Sequence, residues 1–278
     1  MSSSAAVSGL DVPTLLIELA GPQQAWGSRS RFATRATELA PTKSGVVGLL
    51  AAALGMERAE PLDRFDGIRF GVRVDQPGSL ERDFQTTRSL DGSNAFPLSQ
   101  RYYLADAVFL AGVEAAHEEL VAYRDALARP YFPLYLGRRA FPPSIPAIAN
   151  GGLDGAVPTQ LVDAPLTQAL AEAPWRARRH HRCRFRTPEV ALEAVLDAAS
   201  GDALGETRQD VPLSFDPRRR RHGARDVTIT SFTVTHPDPP ARGAAGAPAA
   251  SRPSDRRDEL LGDPTDHDPE ALLGDEEV

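Results

Sequence analysis

The side chains able to do chemistry in this 278-residue chain are mostly arginines. Thirty of the thirty-one basic residues are Arg, and Lys43 is the single lysine. Genomic base composition alone gives such a bias, but the guanidinium is also the group that grips phosphates bidentately and stacks on bases. Placement says more than number. Arg29, Arg31 and Arg35 cluster after the first apolar segment, six Arg and two His fall between Arg176 and Arg186, and Arg218 to Arg221 run unbroken. Phe84-Gln85-Thr86-Thr87-Arg88 and Gln100-Arg101-Tyr102-Tyr103 mix aromatic, amide, hydroxyl and guanidinium groups, the combination that stacks on bases and holds phosphates. An ordinary solvated hairpin is the alternative reading of that pair. Such local positive patches on a neutral body are the weaker electrostatic signature of a nucleic-acid binder.

Thr42-Lys43-Ser44-Gly45 is not a phosphate loop, which needs glycines ahead of its lysine, whereas Pro41 and Thr42 stand there. It reads as a helix N-terminus whose free N–H groups would welcome a phosphate. The compatible structural account is that Ser44 caps the helix while Gly45 and Gly48 let it pack closely. Metal-independent RNA cleavage would need a base for the 2′-hydroxyl, an acid for the leaving oxygen and a cationic stabiliser. His180 or His181 with Tyr102 assembles such a set on paper, though no spacing demands it. His117 reads as a solvated helix residue, His222 ends the Arg run, and His236 and His267 border or occupy the C-terminal tail. There are no paired carboxylates, no nucleophile elbow and no dinucleotide fingerprint. Cys183 is the lone cysteine and no Cys/His cluster has zinc spacing, so no cofactor or metal is expected.

These groups need elements to hold them. Apolar residues make up 41% and charged residues 25%, enough for a real core and against a wholly disordered chain. The net charge of −7 sits entirely in residues 237–278, with four Arg and eleven Asp or Glu, so residues 1–236 are neutral. That tail is rich in Pro, Gly, Ala and Asp and has no aromatic residue, so it reads as disordered, either an acidic decoy for the basic surface or a neutral extension. Nothing at the N-terminus reads as a signal peptide, and the apolar run Gly45 to Met56 is shorter than the ~20 residues a bilayer span requires. A soluble, cytoplasmic chain with no membrane partner is expected.

Thr14 to Ala20 reads as a strand, followed by a Gly21 to Gly27 turn with an exposed-looking Trp26. A helix runs from Thr42 or Ser44 to about Leu54, stopped by Gly55. Gly67 to Asp75 alternates as a half-buried strand with Arg69 and Arg73 outward, and Ala105 to Val113 is a buried strand. Glu114 to Arg129 is a helix with Leu120, Tyr123 and Leu127 on its inner face. That order opens a βαββαβ, ferredoxin-like unit in an α+β fold. The long connection, about residues 76–104, reads as an ordered, protruding hairpin. Thr187 and Pro188 look like an N-cap and first helical position, opening a helix with Leu192, Val195 and Leu196 on one face. Val227 to Thr235 is a late strand whose alternation slips at Ser231, consistent with a bulge.

The stretch Gly21-Pro22-Gln23-Gln24-Ala25-Trp26-Gly27, then Pro41-Thr42-Lys43-Ser44-Gly45 with Val46 to Gly55, resembles the Cas-five (CasD) family of CRISPR-associated RAMP proteins. Tyr135-Leu136-Gly137-Arg138-Arg139 is similar to its type I-E branch. The resemblance covers roughly the first 145 residues well and the remainder loosely. It implies a ferredoxin-like (RRM-like) domain over residues 1–145 with a β-hairpin thumb, a smaller β-rich C-terminal domain over 146–236, and the tail outside both. It further implies a non-catalytic subunit of the Cascade complex that grips the 5′ handle of CRISPR RNA and caps the backbone filament. The implied neighbours are a backbone subunit and the large subunit, with target DNA near the PAM-proximal end contacted indirectly. In the I-C branch the Cas-five protein itself cuts RNA, but its Tyr/Lys/His cluster is not found here at comparable positions; a metal-independent endoribonuclease that processes repeat RNA is the alternative. The family's motifs make Lys43 and Ser44 candidates for handle contact, with Gln24, Trp26, Arg29, Arg31 and Arg35 from the glycine-tryptophan loop. The thumb would add Arg88, Gln100, Arg101 and Tyr102, and Arg138 and Arg139 complete the RNA-binding set.

Overall fold

The computed structural model describes residues 12–27, 34–144, 158–198 and 205–239. Arg29, Arg31 and the acidic tail beyond residue 239 lie outside them. In chain order the strands and helices are β1 (Thr14–Ala20), β2 (Gln23–Gln24), β3 (Thr34–Arg35), α1 (Lys43–Ala53), β4 (Arg69–Gln76), β5 (Ser79–Arg88), β6 (Ala95–Ala105) and β7 (Val108–Glu114). Then follow α2 (His117–Ala128), β8 (Thr159–Val162), α3 (Leu166–Glu172), α4 (Arg179–Arg182), β9 (Glu189–Asp197), β10 (Glu206–Ser214) and β11 (Arg221–Thr235). The fold is mixed α and β and mostly sheet.

β1 is apolar almost throughout because both of its faces are covered. It pairs antiparallel with β7 on one edge and β8 on the other, within a seven-stranded sheet ordered β10-β11-β9-β4-β7-β1-β8. Leu15, Ile17 and Leu19 point into the main core with α1 and α2, whose inner faces supply Val46, Leu50, Leu120, Tyr123 and Leu127. Leu16 points the other way, to a second core under α3 with Leu110, Leu166 and Leu170. Two glycines let α3 sit down. Gly71 and Gly112 are register partners across β4 and β7, and a Cβ on either would come 2.5 Å from a leucine methyl of Leu196 or Leu166.

Several expectations change. The cap of α1 is Thr42, whose hydroxyl accepts from the Gly45 N–H at 3.2 Å; Ser44 is buried inside the first turn. Trp26 is 1% exposed, its ring seated against Gly45. Strand β4 is buried on both faces, including Arg73, since α3 covers the side that the alternation assigned to water. The helix expected from Thr187 is instead β9, with Val190, Leu192 and Ala194 inward and Glu189, Ala191 and Glu193 outward. No bulge breaks β11 against β9 at Ser231; the register shifts lie on its β10 side, between Arg208 and Val211 and between Pro212 and Ser214.

Among the described residues, no helix is long and apolar enough to cross a membrane.

Candidate nucleic-acid interface

The segment between β4 and β7 is an ordered hairpin of β5 and β6 that leaves the main sheet and forms a second one. Along its far edge β6 also holds β2 at Leu104 and Ala105 and, in parallel, β3 at Gln100 and Arg101. Residues directly opposite share a face. Arg82 with Tyr102 and Phe84 with Gln100 therefore line one face, where the Arg82 guanidinium lies 4.9 Å over the Phe84 ring and Phe84 is 48% exposed. The opposite face carries Arg101, with Asp83 across from it on β5 and Arg35 beside it on β3. The expected set of Gln100, Arg101 and Tyr102 is thus split by the pleat, amide and phenol on one side and guanidinium on the other. Arg88 pairs opposite Ala95 near the tip, five residues or ~17 Å from the level of Arg101.

Arg138 closes the base of the Arg101 face. Its guanidinium donates to the Tyr102 carbonyl at 2.7 Å and the Arg35 carbonyl at 3.2 Å and lies 5.4 Å from the Phe141 ring. Burial first, then the nearby Arg101 and Arg35 charges, pull it below the usual arginine range, with Asp83 opposing. Three guanidiniums are therefore gathered near Asp83, on a face that also carries Glu81 two residues along β5. Gly137, at φ +88°, makes this possible: a Cβ there would fall 1.7 Å from the Ala25 carbonyl oxygen. Arg139 is exposed next to the cluster in sequence.

Four expected contacts are withdrawn from the surface. Gln24 is fully buried, donating to the Leu19 and Ala107 carbonyls and accepting from the Trp26 indole at 3.1 Å. Both side chains fasten the glycine-tryptophan loop to the core instead of facing a ligand. Ser44 is 5% exposed. The Lys43 ammonium is held by Asp197 at 3.0 Å and by the Ile68 carbonyl at 2.8 Å. The α1 N-terminus does attract an anion, but it is the Asp210 carboxylate, which accepts from the Lys43 N–H at 2.8 Å.

A second basic element adjoins the thumb base. The arm from Arg176 to Arg186 is tied there by the Arg178 N–H donating to Gln76 Oε1 at 3.0 Å and by His180 Nε2 at 2.7 Å from Asp106 Oδ2. Arg178, Arg179, Arg184 and Arg186 are exposed along it. Between arm and thumb lies a cavity of about 380 Å³ lined by Gly21, Pro22, Asp106, Ser144 and Arg178, among others. Burial, then the Arg184 charge, hold His181 below the usual imidazole range, and its ring lies against Trp175 and Phe185. His236 is buried against the Arg182 carbonyl. Among the described residues none of these imidazoles hydrogen-bonds Tyr102. Arg82 is outside the set expected from the sequence, and Phe84 enters it only within its segment; the β5–β6 register places both on the face of Tyr102 and Gln100.

The family model described as CRISPR-associated protein (Cas_Cas5) matches residues 14–228. The CRISPR system Cascade subunit CasD of Escherichia coli (strain K12) is 31% identical over 148 residues, 46% of this chain. The match spans 66% of that relative's length, just under two thirds. A solved chain of a CRISPR RNA-guided surveillance complex is similar at TM-score 0.62 and 33% identity, covering 80% of this chain and 91% of that one. A Cas protein crystal structure matches at TM-score 0.60 and 40% identity, covering 81% of this chain and 100% of the other.

Proposed function

The chain belongs to the CRISPR-associated Cas-five family, and from that premise we propose that it is a non-catalytic RNA-binding subunit of a type I-E Cascade complex. In this reading it grips the 5′ handle of CRISPR RNA, caps the backbone filament and acts in the cytoplasm. Its neighbours are the backbone subunit and the large subunit, with target DNA beyond them. The observation that carries it is the gathering of Arg35, Arg101 and Arg138 at the base of the thumb, with Tyr102, Gln100, Arg82 and Phe84 on the reverse face. Guanidiniums fix phosphates and the aromatic face takes unstacked bases, the division of labour suited to a single-stranded handle. The antiparallel order β8-β1-β7-β4, with α1 and α2 as the two crossovers, supports a ferredoxin-like core with the thumb inserted between its second and third strands.

The endoribonuclease alternative needs an imidazole near Tyr102. His180 is instead paired with Asp106 and His181 is packed among aromatic rings, which favours binding over cutting.

Arg101→Ala and Arg138→Ala are each expected to weaken handle binding about 5- to 150-fold, the size of a lost charge-assisted contact at about 1–3 kcal/mol. UV crosslinking of the full chain to 5′-labelled repeat RNA in chelator tests both parts of the reading. A crosslink competed only by handle-bearing RNA, with free RNA intact, is the expected result. A shortened labelled fragment at a fixed position makes the chain a nuclease, and unchanged affinity in both variants removes the thumb base from the RNA path.

A further inference from the structure

The run Arg218 to Arg221 is unused by the interface above. It forms the turn of the β10–β11 hairpin, which continues past the rest of the sheet: β11 pairs with β9 only from Val227 onward, while Arg221–Asp226 pair with β10 alone. The projecting hairpin is braced at two places. Phe215 packs on the main core, facing Gly48 of α1. Asp210 bonds both the Arg225 guanidinium and the Lys43 N–H, fixing the hairpin to the start of α1. The turn backbone is set by Asp216, whose carbonyl takes the Arg219 N–H and whose carboxylate takes the Arg218 N–H. All four arginines are exposed, and among the described residues no carboxylate lies within salt-bridge distance of any of their guanidiniums.

Four guanidiniums without carboxylate partners stand on consecutive residues about 3.8 Å apart at Cα, so neighbours repel within a Debye length of about 8–10 Å and a dense row of anions would relieve the repulsion. The turn has no aromatic or amide side chain, so its contacts are arginine contacts alone, and guanidiniums on consecutive exposed residues suit a run of phosphates. Duplex DNA offers such a row, one charge per ~1.7 Å of axis. We propose that the Arg218–Arg221 turn is a second nucleic-acid surface, distinct from the thumb, that holds the phosphate backbone of duplex DNA without regard to sequence. Through it this subunit contacts DNA directly.

The test compares the full chain with the variant Arg218→Gln, Arg219→Gln, Arg220→Gln, Arg221→Gln. Each is titrated by fluorescence anisotropy against a duplex DNA of arbitrary sequence, about 30 base pairs long, across a salt series, and against handle RNA in parallel. The variant is expected to bind duplex at least about tenfold more weakly, with a log affinity versus log salt slope shallower by about 2–4, while its RNA affinity and melting temperature stay unchanged. No duplex binding by wild type, or equal affinity and slope in both proteins, overturns the proposal. So does a variant that keeps duplex affinity and loses only RNA, or only co-purifying protein subunits, since the turn then serves those partners. Failure of the thumb reading would appear separately, as wild-type indifference to the handle sequence.

Discussion

Arg73→Met is expected to lower stability by about 3–5 kcal/mol, the cost of removing one partner from a buried ion pair. For a chain of this size that is a fall of about 6–20 °C in melting temperature, at about 2–4 °C per kcal/mol. Arg73 and Asp75 are both completely buried, joined by two hydrogen bonds at 2.7 and 3.0 Å. The remaining donors of the guanidinium reach the carbonyls of Leu170, Ala173 and Pro174, so Arg73 also caps the end of α3. All five of its N–H groups are thereby used. Methionine fills the volume but leaves the carboxylate without its counter-charge, held only by the Arg176 N–H, and three carbonyls without their Arg73 donors. Arg73→Lys is expected to rescue little, because one compact ammonium cannot span that fan of acceptors. The consequence reaches the proposed interface: Asp75 accepts the Arg176 N–H at 2.6 Å and its carbonyl takes the Trp175 indole, so Arg73 positions the start of the basic arm. Scanning calorimetry of both variants decides it; a shift under about 2 °C would show that the pair carries no such weight.

Arg73 also shows where the sequence stopped being legible. Phe70 and Val72 against Arg69 and Arg73 is the pattern of a strand with one wet face. What turned that face inward was α3, a seven-residue helix from a stretch with little local signal, seated on glycines of two different strands. Alternation reports which residues share a face, and the covering layer comes from elsewhere in the chain. Strand β9 failed in the converse way. Thr187 and Pro188 form a valid helix start, and Leu192, Val195 and Leu196 also fit helical spacing. Pairing with β11 on one edge and β4 on the other outweighed that local preference.

The site divides along the same line. The length and ordered character of the thumb were readable from β-prone arms around a Gly-containing tip, and α1 from its apolar spacing and its Gly55 stop. Arg101 and Arg138 are half-buried at the thumb base, one on a strand and one on a loop. The family resemblance points Gln24 and Trp26 toward RNA, yet they satisfy each other across one buried hydrogen bond. Lys43 shows the limit best. The start of α1 does attract an anion, but the anion belongs to Asp210, 167 residues away, where no local pattern could announce it.

That same network supplies the second large effect, with a pH signature. Arg225 grips Asp210 with two hydrogen bonds, at 2.6 and 2.9 Å, and reaches Asp197, which in turn holds Lys43 and the Phe70 N–H. Burial pushes the Asp210 carboxyl up, but the Arg225 hydrogen bonds and charge, with the Lys43 N–H, outweigh it and hold the group below the usual carboxylate range. A carboxyl depressed in the folded state contributes stability above its unfolded pKa of about 4 and loses it as pH falls through the lower folded value. Arg225→Met removes the largest opposing contributions and leaves burial, the largest single influence on the carboxyl, opposed only by the Lys43 N–H and the Arg208 charge. In the variant the ionised group then costs stability at neutral pH, and the cost disappears once both states are protonated. The gap between wild type and Arg225→Met is therefore expected to be about 3–5 kcal/mol at neutral pH and to narrow as pH falls through about 4. Thermal melts of the two proteins across that range read the difference directly. A gap that stays constant with pH would mean that Arg225 acts through its packing on Phe70, 5.2 Å from its guanidinium, and not through the carboxylates it joins.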